Sequence, residues 1–380
     1  MTTTYQEQIE ELQDQACELP DGPSKMALLE EAVRLADTHQ DVWLGDEVRA
    51  DLIRTATFSG YPEKALVAFS WRLAQSDRDP QLFPETDLLW EFKWITDSLP
   101  GFPQITRRQI EDMLDDMTRR YQRSGASLRA VFKLRCQIAM AMCEPAEART
   151  YHRQWEKTPR DYSSDCPACE QNHRVRFQLF VGKKEKALEM AEPILHGSLR
   201  CAEIPHATYA LVLLPLVQLG QVEQAVEHHH KGYRLISNNR KFIDESADHL
   251  TFLALTDNLP RAVKLFEKHL EWALDAKDLY WRWKFYLAAQ FLMSRIAANG
   301  QASLKLRLPK SAACYQEEGR YDVDTLSAWI EGACRELAER FDARNGNDGF
   351  KRRLAANRRL NRWLTPYPLR RSAGRMKEEG

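Results

Sequence analysis

The stretch SDCPACEQNH, Ser164–His173, places two cysteines in a C-x2-C pair and a histidine four residues after the second. Such a pair suits half of a tetrahedral zinc site or a redox couple. It also suits two small buried thiols, because free cysteine packs as a small hydrophobe. A second half-site follows in RCAEIPHATY, which holds Cys201 and His206. Cys166, Cys169, Cys201 and His206 together form a three-sulfur, one-imidazole zinc set, with His173 the other candidate for the fourth position. Four protein ligands would leave no open coordination position. The zinc would then be structural and would contribute folding free energy. A redox role calls for the pair at the end of a strand in a βαβ unit, and no such strand is visible.

The remaining chemical candidates are weaker. EHHHKGY (227–233) has three successive histidines, but neighbours on a helix point about 100° apart and cannot converge on one ion. They are expected on a helix surface. GxxxxGK[ST], GxGxxG, HExxH and GxSxG are all absent, so the common nucleotide, zinc-protease and serine-hydrolase signatures are missing. WEFKW (90–94) and YWRWKFY (280–286) mix aromatics with cations. That mixture can stack on single-stranded nucleic acid; in a helical array it more often fills grooves between helices.

What positions these residues is a repeat. FSGYPEKALVAF, MCEPAEARTYH, FVGKKEKALEMA, QLGQVEQAVEHH and LTDNLPRAVKLF share a polar break, a charged first turn and an alanine that opens an apolar stripe. The alanines are Ala65, Ala148, Ala187, Ala225 and Ala262, the last four spaced 39, 38 and 37 residues apart. Ala27, in DGPSKMALLEEA, lies 38 residues before Ala65, and the amphipathic stretch 102–121 fills the gap at the missing copy. Before each break lies a stretch with apolar residues at three- and four-residue steps. Pro62, Pro145 and Pro260 fall in first turns, where no intrahelical partner awaits an N–H. Pro193 and Pro215 fall inside expected helices and predict kinks there. The spacing predicts an all-α superhelix of about seven helical hairpins over residues 1–300. A loop over 301–321 and a C-terminal unit over 322–380 follow, the latter a capping helix at 323–346 and a basic helix near 350–363.

Composition agrees. Of 380 residues, 43% are hydrophobic and 29% charged, a folded-protein balance, and 16 glycines and 17 prolines are few for an all-β chain. No apolar run reaches the roughly 18 residues a membrane helix needs. The N-terminal residues lack the basic and apolar regions of a secretory signal. Eight irregularly spaced cysteines suit reduced thiols in a cytoplasmic protein. Net charge is −1, yet residues 344–377 carry eleven Lys or Arg against the single acid Asp348. This tail could meet nucleic acid or an acidic protein, or lie back on the acidic body as a clasp or cap.

The repeat resembles the tetratricopeptide repeat (TPR) superfamily. Gly-x4-Ala at the inter-helix turn appears at Gly60/Ala65, Gly182/Ala187 and Gly220/Ala225, and the following Ala-x3-aromatic step at Ala65/Phe69 and Ala262/Phe266. The periods exceed the family's usual 34 residues, and its Trp-x2-Leu-Gly signature is absent. The resemblance implies a concave surface lined by the first helix of each hairpin. On its ligand-facing positions stand Glu47, Arg54, Lys133, Gln137, Asn172 and Arg176. It implies a non-catalytic scaffold that binds a protein or peptide. The alternatives are a peptide-responsive regulator using the basic tail, and an enzyme with an unfamiliar site between solenoid and cap.

Overall fold

The computed structural model describes residues 4–369. It is an all-α superhelix, with seventeen α-helices and one two-stranded hairpin among the described residues. Seven hairpins follow in order: α1 (Tyr5–Cys17) with α2 (Pro23–Thr38), α3 (Val42–Ser59) with α4 (Pro62–Arg78), and α5 (Leu89–Ser98) with α6 (Arg107–Arg123). Next come α7 (Arg129–Ala141) with α8 (Pro145–Lys157) and α9 (Pro167–Phe180) with α10 (Lys184–Leu195). The last two are α11 (His206–Gln218) with α12 (Val222–Ile236), and α13 (Ile243–Leu255) with α14 (Leu259–Asp275).

One position explains the period. The fourth residue of each second helix is buried: Met26, Ala65, Ile110, Ala148, Ala187, Ala225 and Ala262 are each at most 1% exposed. Small residues there let the two helices approach closely, as the periodicity requires. The first copy differs from expectation, because Ala27 is exposed and Met26 holds the buried place. The turn before five of the second helices carries a left-handed residue. Gly60, Gly182 and Gly220 supply it, and Cys143 and Asp257 adopt it at φ 63° and 57°. Pro193 and Pro215 lie within helices that run on through them.

An eighth hairpin follows. α15 (Leu279–Ala298) packs on α16 (Val323–Asn345), whose fourth residue, Leu326, is again buried. The stretch between them is not a plain loop. Ser303–Lys305 (β1) pairs antiparallel with Arg320–Asp322 (β2), burying Leu304 and Tyr321 in the same core as the last repeats. The core is therefore continuous from the solenoid into the 322–369 segment, which ends in α17 (Gly349–Asn357) and a short 3-10 turn.

The superhelix coils back on itself. The turn at Gly60 abuts the backbone of Lys241, 3.1 Å from a Cβ built there, and the Arg240 guanidinium lies 4.5 Å from the Tyr61 ring centroid. The described part of the basic tail is docked. Arg344 donates to the carbonyls of Pro100, Phe102 and Ile105, and Asn347 to that of Met142. Residues 364–369 run along the α13–α14 turn, with Thr365 and Tyr367 amides donating to Leu255 and Thr256 carbonyls. Arg370, Arg371, Arg375 and Lys377 lie outside the described residues. No helix among the described residues is long and apolar enough to cross a membrane.

Candidate binding cleft and cysteine cluster

The first helices of hairpins three, four, five, seven and eight turn i, i+4 polar pairs toward one interior: Lys93/Asp97, Lys133/Gln137, Asn172/Arg176, Asp244/Asp248 and Tyr280/Lys284. Residues four apart share a helix face, so one register places each pair at the same height. They line two adjoining cavities of about 750 Å³ and about 440 Å³, which share Asp97, Gln137, Arg176, Asp244 and Glu245. Arg352 and Arg353 of α17 border the larger one, so the cap forms part of its wall.

Of the six residues assigned to the concave face, four belong to this cleft. Lys133 pairs with Asp165 at 2.6 Å, Gln137 donates to Asp97 at 2.9 Å, Asn172 accepts from Thr208 at 2.8 Å, and Arg176 reaches Glu245 at 3.3 Å. Glu47 and Arg54 do not belong to it. They are exposed on α3 and line neither cavity, because coiling brings only the C-terminal end of α3, at Phe58, to the cleft.

The charges are compensated but unevenly hydrated. Burial pushes Asp165 up, yet Lys133 and Lys93 outweigh it and hold its carboxyl below the usual range. Burial pushes Lys93 and Lys241 down to about 8 each. At the other end, burial and neighbouring Asp244 raise Glu245 to about 7. Burial raises Asp248 to about 6 against the opposing pull of Lys284, which it accepts from at 2.9 Å. Sequence reasoning missed Lys93, Asp165 and the Asp244/Asp248/Lys284 group. The polar i, i+4 pairs on successive first helices were the available signal.

The cysteines border the smaller cavity. Cys166 caps α9, its sulfur accepting from the Cys169 amide at 3.4 Å, and the Cys169 and Cys201 sulfurs are 3.5 Å apart. The three sulfurs lie within 4.8 Å of one another, a group able to hold a metal ion. Burial and the neighbouring sulfurs raise the Cys169 thiol, so a bound cation would have to displace its proton. Neither candidate histidine joins the group. His206 stacks on Phe242, ring centroids 5.5 Å apart. His173 turns away to Trp155 and clusters with Cys136 and His152.

One further expectation is corrected. His229 is not on a surface: it is 5% exposed, and its Nδ1 lies 2.9 Å from Nδ1 of buried His249. The aromatic–cation stretches mainly fill the interior, with Phe92, Trp283 and Phe285 at most 1% exposed. No family model and no curated protein matches this chain.

Proposed function

We propose that this protein is a non-catalytic scaffold of TPR-like design that holds a short charged peptide segment, free or within a partner protein, in the cleft between its first helices. Zinc at Cys166, Cys169 and Cys201 would pin the wall between α9 and α11. One observation carries the reading: Lys133, Gln137, Asn172 and Arg176, four of the six residues that the resemblance puts on ligand-facing positions, line one cleft. Both cavities carry cations and carboxylates together, Lys93, Lys133 and Lys241 with Asp165 in the smaller and Lys284, Arg352 and Arg353 with Asp244, Glu245 and Asp248 in the larger. That mixture suits a ligand bearing both charges, such as a peptide. Three sulfurs complete a tetrahedral zinc only with a fourth donor, which water in the cleft can supply.

The test is a selection of phage-displayed random peptides against the full chain. Selected peptides should lose about tenfold or more in affinity, about 1.4 kcal/mol, on the Gln137→Ala/Arg176→Ala variant. They should bind Glu47→Ala/Arg54→Ala as they bind the wild type. Equal binding to both variants, or no enriched peptide, would end the proposal. A second reading, an acid–base enzyme, is favoured by Glu245 and Asp248, two carboxyls raised toward neutrality in one cavity. It requires that a cleft ligand be turned over, and that Glu245→Gln or Asp248→Asn stop turnover while binding persists.

A further inference from the structure

We propose a second transition-metal site, separate from the three-cysteine group, formed by the thiolate of Cys136 and the imidazoles of His152 and His173. These residues come from α7, α8 and α9, three consecutive helices, and their donor atoms lie within 4.8 Å of one another. Around a tetrahedral zinc with Zn–S of about 2.3 Å and Zn–N of about 2.0 Å, donors sit about 3.3–3.7 Å apart. Small side-chain rotations of about an ångström close that difference.

The unpartnered nitrogens supply the independent observation. His173 is 3% exposed, and neither of its ring nitrogens has a hydrogen-bond partner. The Nδ1 of His152 is buried and equally unpartnered. A buried polar group without a partner costs about 1–3 kcal/mol, and so calls for something that takes its lone pair. Cys136, fully buried, has only the Ala148 carbonyl at 3.4 Å and the Met140 sulfur at 4.0 Å as sulfur contacts.

Aromatic neighbours hold the imidazoles. His152 stacks on Phe177 at 3.6 Å between centroids, and His173 meets the Trp155 ring edge-on at 4.8 Å. A preorganised set of two nitrogens and one sulfur favours a borderline divalent cation, Zn²⁺ or its spectroscopic substitute Co²⁺, over the hard cations Mg²⁺ and Ca²⁺. Binding forms one metal–sulfur and two metal–nitrogen bonds and releases the Cys136 thiol proton to solvent; no electron is transferred. The remaining position falls to water. With the three cysteines at its N-terminus, α9 would be fixed to its neighbours at two points.

The test uses Co²⁺ on the full chain. With Cys166, Cys169 and Cys201 all changed to serine, the protein should still bind one equivalent of Co²⁺, with intense tetrahedral d–d bands and a thiolate charge-transfer band. Adding Cys136→Ser should abolish the charge-transfer band, and adding His173→Gln should collapse the tetrahedral bands. A folded triple-serine protein that binds no Co²⁺, or whose spectrum ignores Cys136→Ser, would overturn the proposal. If the triple-serine chain does not fold, metal content is measured on the otherwise wild-type chain. There Cys136→Ser should lower bound metal by one equivalent, and an unchanged content would overturn the site whatever the three cysteines do.

Discussion

The carboxylate of Asp278 occupies the space a side chain at residue 101 would need: a Cβ built on Gly101 would lie 2.1 Å from its Oδ2. Gly101 ends the 3-10 turn that follows α5, and Asp278 caps α15, accepting from the Tyr280 and Trp281 amides at 2.9 and 3.2 Å. This contact is one of the points at which the coil closes. Gly101→Ala must therefore push Asp278 off its cap, and overpacking of this kind costs about 1–3 kcal/mol. Because the clash is shared, adding Asp278→Ser, which keeps a capping hydroxyl, should recover part of the loss. Denaturant unfolding of both singles and the double checks this, and strictly additive losses would refute the contact.

Asp278 also sets a pH dependence. Burial, then Asp244 and Asp97, raise its carboxyl to about 7 from an ordinary value of about 4. Between those values the folded chain holds a proton that the unfolded chain has lost. Stability therefore falls as pH rises through the window, and the penalty is complete above about 7. Asp278→Asn keeps the capping oxygen and removes the buried charge. It should match the wild type at pH 4 and exceed it at pH 8, by at most about 4 kcal/mol. Glu245 and Asp248 add slopes of the same sign to both proteins, so the difference between them is the diagnostic quantity.

The helical hairpins were legible because a close contact recurs at one position per repeat, and small residues such as Ala187 and Ala225 record it in the sequence. The three cysteines were legible for the same reason: one period of 38 carries Cys166 and Cys169 to residues 204 and 207, close to Cys201. The fourth ligand was not, because which way His173 and His206 turn depends on Trp155 and Phe242, neighbours that no spacing announces. Coil closure was equally hidden. It follows from small rotations summed over six or seven hairpins, and it decides that Lys133 lies in the cleft while Glu47 faces out.

Arg129 and Glu170 form a buried pair at 2.9 Å, with the Arg129 guanidinium also donating to the Trp155 and Thr158 carbonyls. Arg129→Met takes its donor from the Thr158 carbonyl, leaves the Trp155 carbonyl with the Thr158 amide alone, and leaves Glu170 with Arg160 as its remaining ion-pair partner. Removing one member of a buried pair typically costs about 3–5 kcal/mol, and the surviving Arg160 contact puts this case at the lower end. Arg160→Met, whose partner keeps Arg129, should cost under about 1 kcal/mol. Unfolding free energies of the two variants measure the contrast, and equal losses would contradict it.

The three-cysteine group predicts metal content. Cys169→Ser should lower bound zinc by one equivalent, because Cys169 sits between the other two sulfurs in the chain and touches both. Cys314→Ser, at a half-buried thiol outside either cluster, should leave metal content unchanged. A chelator should lower the melting temperature of the wild type more than that of Cys169→Ser, since binding to the folded state alone stabilises it by mass action. Elemental analysis alongside thermal unfolding gives both quantities, and equal zinc in the two serine variants would dismiss the site.

Arg344 tests the docked tail. Its guanidinium satisfies three backbone carbonyls between Pro100 and Ile105 at 2.9 to 3.4 Å, and burial lowers its pKa to about 10. Arg344→Ala takes this donor from the Pro100 and Ile105 carbonyls, while the Phe102 carbonyl keeps the Ile105 amide, at a cost of about 1–3 kcal/mol. Amide exchange should speed up in the link between α5 and α6 and in α17, which share this junction. Arg344→Lys should recover little, because a single ammonium lacks the planar fork that spans separated acceptors. Were the tail simply solvated, none of the three proteins would differ in exchange across 99–106. Faster exchange confined to that segment and to 346–357 identifies the junction as the clasp between the third hairpin and the C-terminal cap.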